Sequence, residues 1–272
     1  MTHLKHTARA SRYSYSLILL RELVITDFKL RYQSSVLGYV WSLLRPLALF
    51  AILYMVFANF LKLGSTIPHY PLYLLVGIVL WNFFTEVTGN SITAIVDKGG
   101  LLRKINFPKY VIVVATSLSA FINLLINSIV ILVFAVLFKV DVGWSILYLP
   151  IFILELFCLS LGVGFLLSAL FVKYRDINYI WEVLMQALFY ATPILYPLAL
   201  VPEGIAKVLM LNPIAQIIQD VRKIAVTPET QTIASVFDSS FARLVPMAIV
   251  LVIFAVAVIY FKRQSKFFAE EV

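Results

Sequence analysis

Glu86 is the residue whose position most needs a reason. It stands in an apolar run with Trp81, Asn82, Phe83, Phe84, Thr88 and Asn90, while Asn123 and Asn127 share one face of a later run and Glu155 lies in another. Carboxylates and amides are costly inside lipid, and chains keep them there where they face a wet path or one another. Their chemistry is to hold water and to exchange hydrogen bonds with a polar cargo. Trp81 sits about ten residues into its run, too deep for the aromatic belt at a membrane interface. Aromatic faces from Trp81, Phe83, Phe84 and Tyr190 would give a sliding molecule broad apolar contact without many buried hydrogen bonds. Polar packing between helices accounts for the Trp81 to Glu86 cluster equally well, and at this stage both readings stand. Trp41, Trp144 and Trp181 fall near run ends and need only the belt.

Catalysis has little to work with. His3 and His6 lie in the amino-terminal tail and His69 in a connection, with no HExxH, no paired aspartates and no Ser-His-Asp set. No metal site or cofactor is expected on this chain. A phosphate-cradling glycine-rich loop ending in Gly-Lys-Ser or Gly-Lys-Thr is also absent. If ATP drives the process, ATP and Mg belong to a separate partner chain.

The elements that must position these residues are membrane spans. The 272 residues are 62% hydrophobic and 13% charged, with a mean hydropathy of +0.96, too apolar for a water-soluble domain. The net charge of +8 could indicate nucleic acid, but the basic residues gather at span ends rather than in an aromatic-interleaved patch, which points to membrane topology instead. Cys158, the single cysteine, excludes an intrachain disulfide. The basic, polar start has no apolar core with a cleavage site, so no signal peptide is expected. Six segments are long enough for a span at about 20 apolar residues each: 37–61, 72–96, 110–138, 146–171, 180–200 and 244–261. Lys62, Lys139, Lys207, Arg222, Lys223 and Arg243 then fall on one side and the other sixteen of the 22 basic residues on the opposite one. The excess of positive charge places both termini in the cytoplasm.

Three further stretches carry signals. At helical spacing, 17–33 separates an apolar arc from one holding Glu22, Thr26, Lys29 and Gln33, with Asp27 and Arg31 four residues apart. Such a helix lies on a membrane surface, either as a docking platform or as a plain solvated lead-in, and residues 1–36 form a cytoplasmic unit before the spans of 37–272. The connection 97–109 is basic, with Gly99, Gly100, Leu101, Leu102, Arg103, Lys104 and Pro108; it reads as a small cytoplasmic helix or as an ordinary positive loop. In the outer connection 201–243, Asn212 before Pro213 is a helix start. Ile214, Ile217, Ile218 and Val221 recur after it, so this helix either dips into the membrane edge or lies outside as an amphipathic one. Arg45-Pro46, Thr192-Pro193 and Tyr196-Pro197 interrupt spans, and the freed backbone groups must find partners inside the protein.

Taken in order, Asp27, Lys29, Arg31 and Tyr32 leading into Gly38, Trp41, Leu44 and Pro46; Trp81, Phe83 and Phe84; Leu101, Leu102, Lys104 and Pro108; Tyr174, Arg175 and Asp176; Thr192, Pro193, Ile194 and Tyr196; and Asn212-Pro213 resemble the transmembrane subunit of ATP-binding-cassette exporters of cell-surface polysaccharides. That group handles O-antigen, teichoic acid and rhamnose polymers, and the tail and the 103–108 stretch look closest to the rhamnose-polymer exporters. The resemblance implies an all-α membrane protein with six spans, an amino-terminal interface helix, and external gate helices between spans five and six. It implies a homodimer bound to two ATPase subunits in the cytoplasmic membrane, moving a lipid-linked polysaccharide. On it, Glu22, Asp27, Lys29, Arg31, Leu101, Leu102, Arg103, Lys104 and Pro108 would couple to the ATPase. Trp81, Asn82, Phe83, Phe84, Glu86 and Tyr190 would line the path, and Pro193, Tyr196, Asn212 and Pro213 would form the gate. An exporter of another lipid or drug on the same fold, or a membrane scaffold without transport, are the alternatives.

Overall fold

The computed structural model describes residues 16–29, 38–62, 67–105, 107–141 and 143–271. Among them the chain is all helical, with no β-strand. Residues 16–29 form α1. There follow α2 (Trp41–Tyr54), α3 (Tyr70–Asp97), α4 (Gly99–Lys104), α5 (Tyr110–Leu137), α6 (Leu149–Lys173), α7 (Ile177–Ala191), α8 (Glu203–Met210), α9 (Pro213–Ala225), α10 (Ile233–Val236), α11 (Leu244–Gln264) and α12 (Phe268–Glu271). Arg31 and Tyr32, and with them the expected Asp27–Arg31 pair and the end of the interface helix, lie outside the described residues.

Five helical stretches among the described residues are long and apolar enough to cross a membrane: Trp41–Phe60, Tyr70–Asp97, Tyr110–Leu137, Trp144–Lys173 and Ser240–Gln264. The expected span 180–200 is not one continuous helix. α7 runs for 15 residues, about 22 Å at 1.5 Å per residue, against a hydrocarbon core of about 30 Å. It ends because Pro193 has no N–H and its ring blocks a further turn; Thr192 N to Leu188 O, at 2.8 Å, closes the helix. The turn that follows, Thr192 to Leu195, is buried.

α3 is the axis of the molecule. Every residue from Leu72 to Trp81 is buried, with α2, α5, α6, α7 and α9 all packed against this helix. Its hydroxyls turn back on their own helix, Thr88 Oγ1 to Phe84 O at 2.8 Å and Ser91 Oγ to Val87 O at 2.7 Å, which satisfies polar groups that would otherwise be stranded in an apolar interior. Small residues bring backbones together: an added Cβ at Gly162 of α6 would stand 3.0 Å from the Phe254 Cα of α11, an approach open only to a residue without a side chain. A second apolar cluster at the end opposite the outer connection joins Leu23 of α1, Leu102 of α4, Phe107, Phe261 and Phe268.

Candidate functional site

A cavity of about 930 Å³ opens between α2, α3 and α5. Its polar wall follows from helical spacing. Asn82, Glu86 and Asn90 recur every four residues on α3, Asn123 and Asn127 do so on α5, and α2 contributes Ser42 and Arg45. The two stripes meet: Asn123 Nδ2 donates to Glu86 Oε1 at 2.7 Å, and Asn127 Nδ2 donates to Asn123 O at 2.8 Å and to Ser42 O at 3.3 Å. The last bond has a covalent origin. Within α2 the Ser42 carbonyl would accept from the N–H four residues on, but that residue is Pro46, so a side chain from α5 supplies the donor. Amides both donate and accept, and this wall can therefore exchange hydrogen bonds with a hydroxyl-rich molecule at many positions.

The expected aromatic residues divide. Phe83 borders the cavity and packs behind it on Phe121 and Phe157, at 6.2 and 6.4 Å between ring centroids. Trp81 and Phe84 face the other way, into the seam between α3 and α7. There Trp81 meets Phe189 at 5.8 Å and Phe84 meets Trp181 at 6.3 Å, while Trp181 Nε1 donates to Thr88 Oγ1 at 3.1 Å. Tyr190 is exposed beyond that seam. Asn82, Phe83 and Glu86 are thus brought together at the cavity, and Trp81, Phe84 and Tyr190 are not. Arg45, Ser42 and Thr85 line the same space and were passed over in the sequence. Arg45 alone had a visible signal, a cation just before a proline inside an apolar run.

At one end, α1 and α4 form a basic platform. Lys98, at the head of α4, pairs with Asp27 of α1 at 2.6 Å. Leu102 is buried, Leu101 and Pro108 are half-buried, and Arg103, Lys104, Glu22 and Lys29 are exposed. Within the 97–109 connection, α4 is therefore a short helix seated by its leucines with Arg103 and Lys104 outward. Lys109 donates to Ser265 O, and Phe268 of α12, buried against Phe261, closes the platform from beneath.

At the other end, Asn212 Oδ1 accepts from Ile214 N at 3.1 Å, the cap that its place before Pro213 predicted. α9 is not a surface helix: Pro213 to Arg222 are all buried, against α3, α6, α8 and α11. Arg222, counted from sequence among the outer charges, is fully buried. Its guanidinium donates to Tyr73 O at 2.9 Å, Pro193 O at 2.6 Å and Ile194 O at 2.6 Å, and stacks 3.6 Å above the Tyr73 ring. Tyr70 Oη donates to Leu195 O at 2.9 Å. Three successive carbonyls after the Pro193 break are thus met by side chains, while Tyr196 Oη donates back to Tyr190 O and Ala191 O, the end of α7. Asp220 is buried beside them and bound by Arg243 at 2.8 Å and Gln216 at 2.6 Å. On exposed α8, the hydrogen bond from Lys207 holds the Glu203 carboxyl below its ordinary range.

A family model described as "ABC-2 type transporter" matches residues 18–226. Among curated proteins, the chain is similar to the O-antigen export system permease protein RfbA of Myxococcus xanthus, at 29% identity over 73% of this chain and 76% of that protein. It is also similar to the protein of the same name from Klebsiella pneumoniae, at 29% over 78% and 83%. To the polysialic acid transport protein KpsM of Escherichia coli it is 22% identical over 77% and 81%.

Proposed function

We propose, since this chain belongs to the ABC-2 type transporter family, that it is the permease subunit of an ATP-driven exporter moving a lipid-linked cell-surface polysaccharide out of the cytoplasm. The observation that carries this reading is the cavity between α2, α3 and α5. Its 930 Å³ lies at the upper end of the range for ligand sites, about 300 to 1,000 Å³, room for a few sugar rings at a time. Asparagine amides match sugar hydroxyls as both donors and acceptors. The exposed ring of Trp41 offers an apolar face to the C–H side of a sugar, and such contacts are weak enough individually for a chain to slide. The relatives' names support the same reading: export of O-antigen and transport of polysialic acid.

In this reading α7 and the buried turn after it complete a sixth crossing, with both termini in the cytoplasm. The cavity becomes a closed path when a second copy covers it: Trp41 and Leu49 at its rim, and Tyr179, Ile180, Val183 and Tyr190 on α7, are exposed apolar groups in the single chain. A separate ATPase subunit, holding ATP and Mg, docks on α1 and α4, one on each copy. α9 and the turn at Pro193 form the outer closure. The test is a strain lacking this chain, complemented with the intact protein or with Asn82→Leu and Glu86→Leu variants. Loss of surface polysaccharide with accumulation inside, restored by the intact chain and reduced at least about tenfold by the paired variant, is the expected result. Normal surface polysaccharide in the deletion strain would overturn it.

A further inference from the structure

The full set of contacts around Arg222 exceeds what a packing role needs. A desolvated cation in a membrane protein pairs with a carboxylate or with backbone carbonyls, or faces a wet cavity. Arg222 has zero exposure, and the buried carboxylate on its own helix, Asp220, is already bound to Arg243 and Gln216. Apart from a long contact of Nη1 to Gln219 Oε1 on its own helix, at 3.4 Å, its partners are carbonyl oxygens from two other elements. Nε points to Tyr73 O of α3, while Nη1 and Nη2 point to Pro193 O and Ile194 O past the end of α7. The planar fork of an arginine can reach three such oxygens while its face rests on a ring, here Tyr73 at 3.6 Å. An ammonium group cannot do both. The space for the fork comes from Gly77, one turn along α3, where an added Cβ would fall 2.3 Å from Arg222 Nη2 and 3.1 Å from Cζ. Sequence positions 73, 77, 193, 194 and 222 thus form one joint.

We propose that Arg222 is the positioning residue of the outer closure, fastening α9 to α3 and to the broken end of α7 so that the three hold one fixed arrangement. Pro193 releases the carbonyls, Gly77 makes room, and Arg222 converts both into a junction. The pinning stands on this geometry alone. Only the statement that the pinned helix closes a polysaccharide path rests on the function proposed above.

The test uses the full-length protein in detergent, with Cys158→Ser removing the native thiol and Ala215→Cys placing a reporter on α9, where Ala215 is 1% exposed. With Arg222 and Gly77 intact, a water-soluble maleimide should react with the reporter only slowly. Arg222→Met should raise the rate about tenfold, and Gly77→Ala should do the same with the arginine still present. Because the two changes break one joint, the double variant should react no faster than Arg222→Met alone, a non-additivity that separates coupling from independent damage. Arg222→Lys should behave like Arg222→Met. Rescue by lysine would show that charge alone suffices, and additive effects or an unreactive reporter in both single variants would also overturn the proposal. Should Arg222→Met be lost from the membrane, Gly77→Ala decides the matter. If the labelling behaves as expected but cells export no polysaccharide with any version, the joint stands and the export reading falls.

Discussion

Asn127 and Pro46 are 81 positions apart, yet the side chain of one completes the helix broken by the other. The bond from Asn127 Nδ2 to Ser42 O exists because Pro46 cannot donate, and this yields a conditional prediction. Asn127→Ala should lower thermal stability by about 1 kcal/mol, within the range for hydrogen bonds between membrane helices. With Pro46→Ala restoring the backbone donor, most of that loss should vanish. Equal losses in both backgrounds, measured by thermal unfolding in lipid nanodiscs, would show that Asn127 acts otherwise. Glu86 and Asn123 make a second such pair. Asn123→Leu removes the hydrogen bond that half-buried Glu86 accepts at 2.7 Å and should cost about 1 kcal/mol, visible as a drop in the same melting curve. The sequence exposed both asparagines, as polar residues on one face of an apolar helix, but not their partners, since partners across helices depend on which helices touch. The burial of Arg222 was not legible for a related reason. Counting charges by segment registers sign, whereas its burial depends on carbonyls that the Pro193 break sets free two segments earlier.

Helices whose ends are written in local chemistry were legible: Asn212-Pro213 opens α9, and the long runs gave α3, α5, α6 and α11 to within a few residues. The run 180–200 is helical only as far as Ala191: hydropathy gave the length of the apolar run, and Thr192-Pro193 gave the place where the helix stops. For α9 the apolar recurrence seen in the sequence serves packing within the protein, where Pro213 to Arg222 are buried. For α4 the decisive feature is Leu102 in the lower cluster, which seats a helix whose Arg103 and Lys104 face outward. Replacing both cations by glutamate should therefore leave the fold intact and reduce ATPase-coupled export or release the ATPase. Unchanged export together with unchanged co-purification would refute a coupling role. Phe268→Ala, by contrast, hollows the platform and should cost about 3 kcal/mol, in line with large-to-small core changes, read as a lower melting temperature.

At the scale of the described residues, α6, α7 and α9 pack on α3, while α2, α3 and α5 hold between them a polar cavity bordered by exposed apolar residues. The distribution of lysines gives the orientation a direct test. Lys139 and Lys104, both exposed, lie at opposite ends in the proposed topology. Changed to cysteine in a Cys158→Ser chain within intact cells, Lys139→Cys should react with an impermeant reagent and Lys104→Cys should not. The reverse pattern would invert the topology.

The buried guanidinium also sets an order of events during synthesis. A lone arginine at the centre of a membrane helix costs about 2.5–3.5 kcal/mol on insertion, so α9 has no reason to enter the apolar interior by itself. Its acceptors, Tyr73 O and the carbonyls of Pro193 and Ile194, all emerge from the ribosome before it does. On the proposed topology, the segment after α7 is therefore expected to stay in water until α3 and the broken helix stand together, and only then to pack inward. A misplaced early helix would be betrayed by an outer loop that never folds inward, giving the cell's membrane proteases an exposed target.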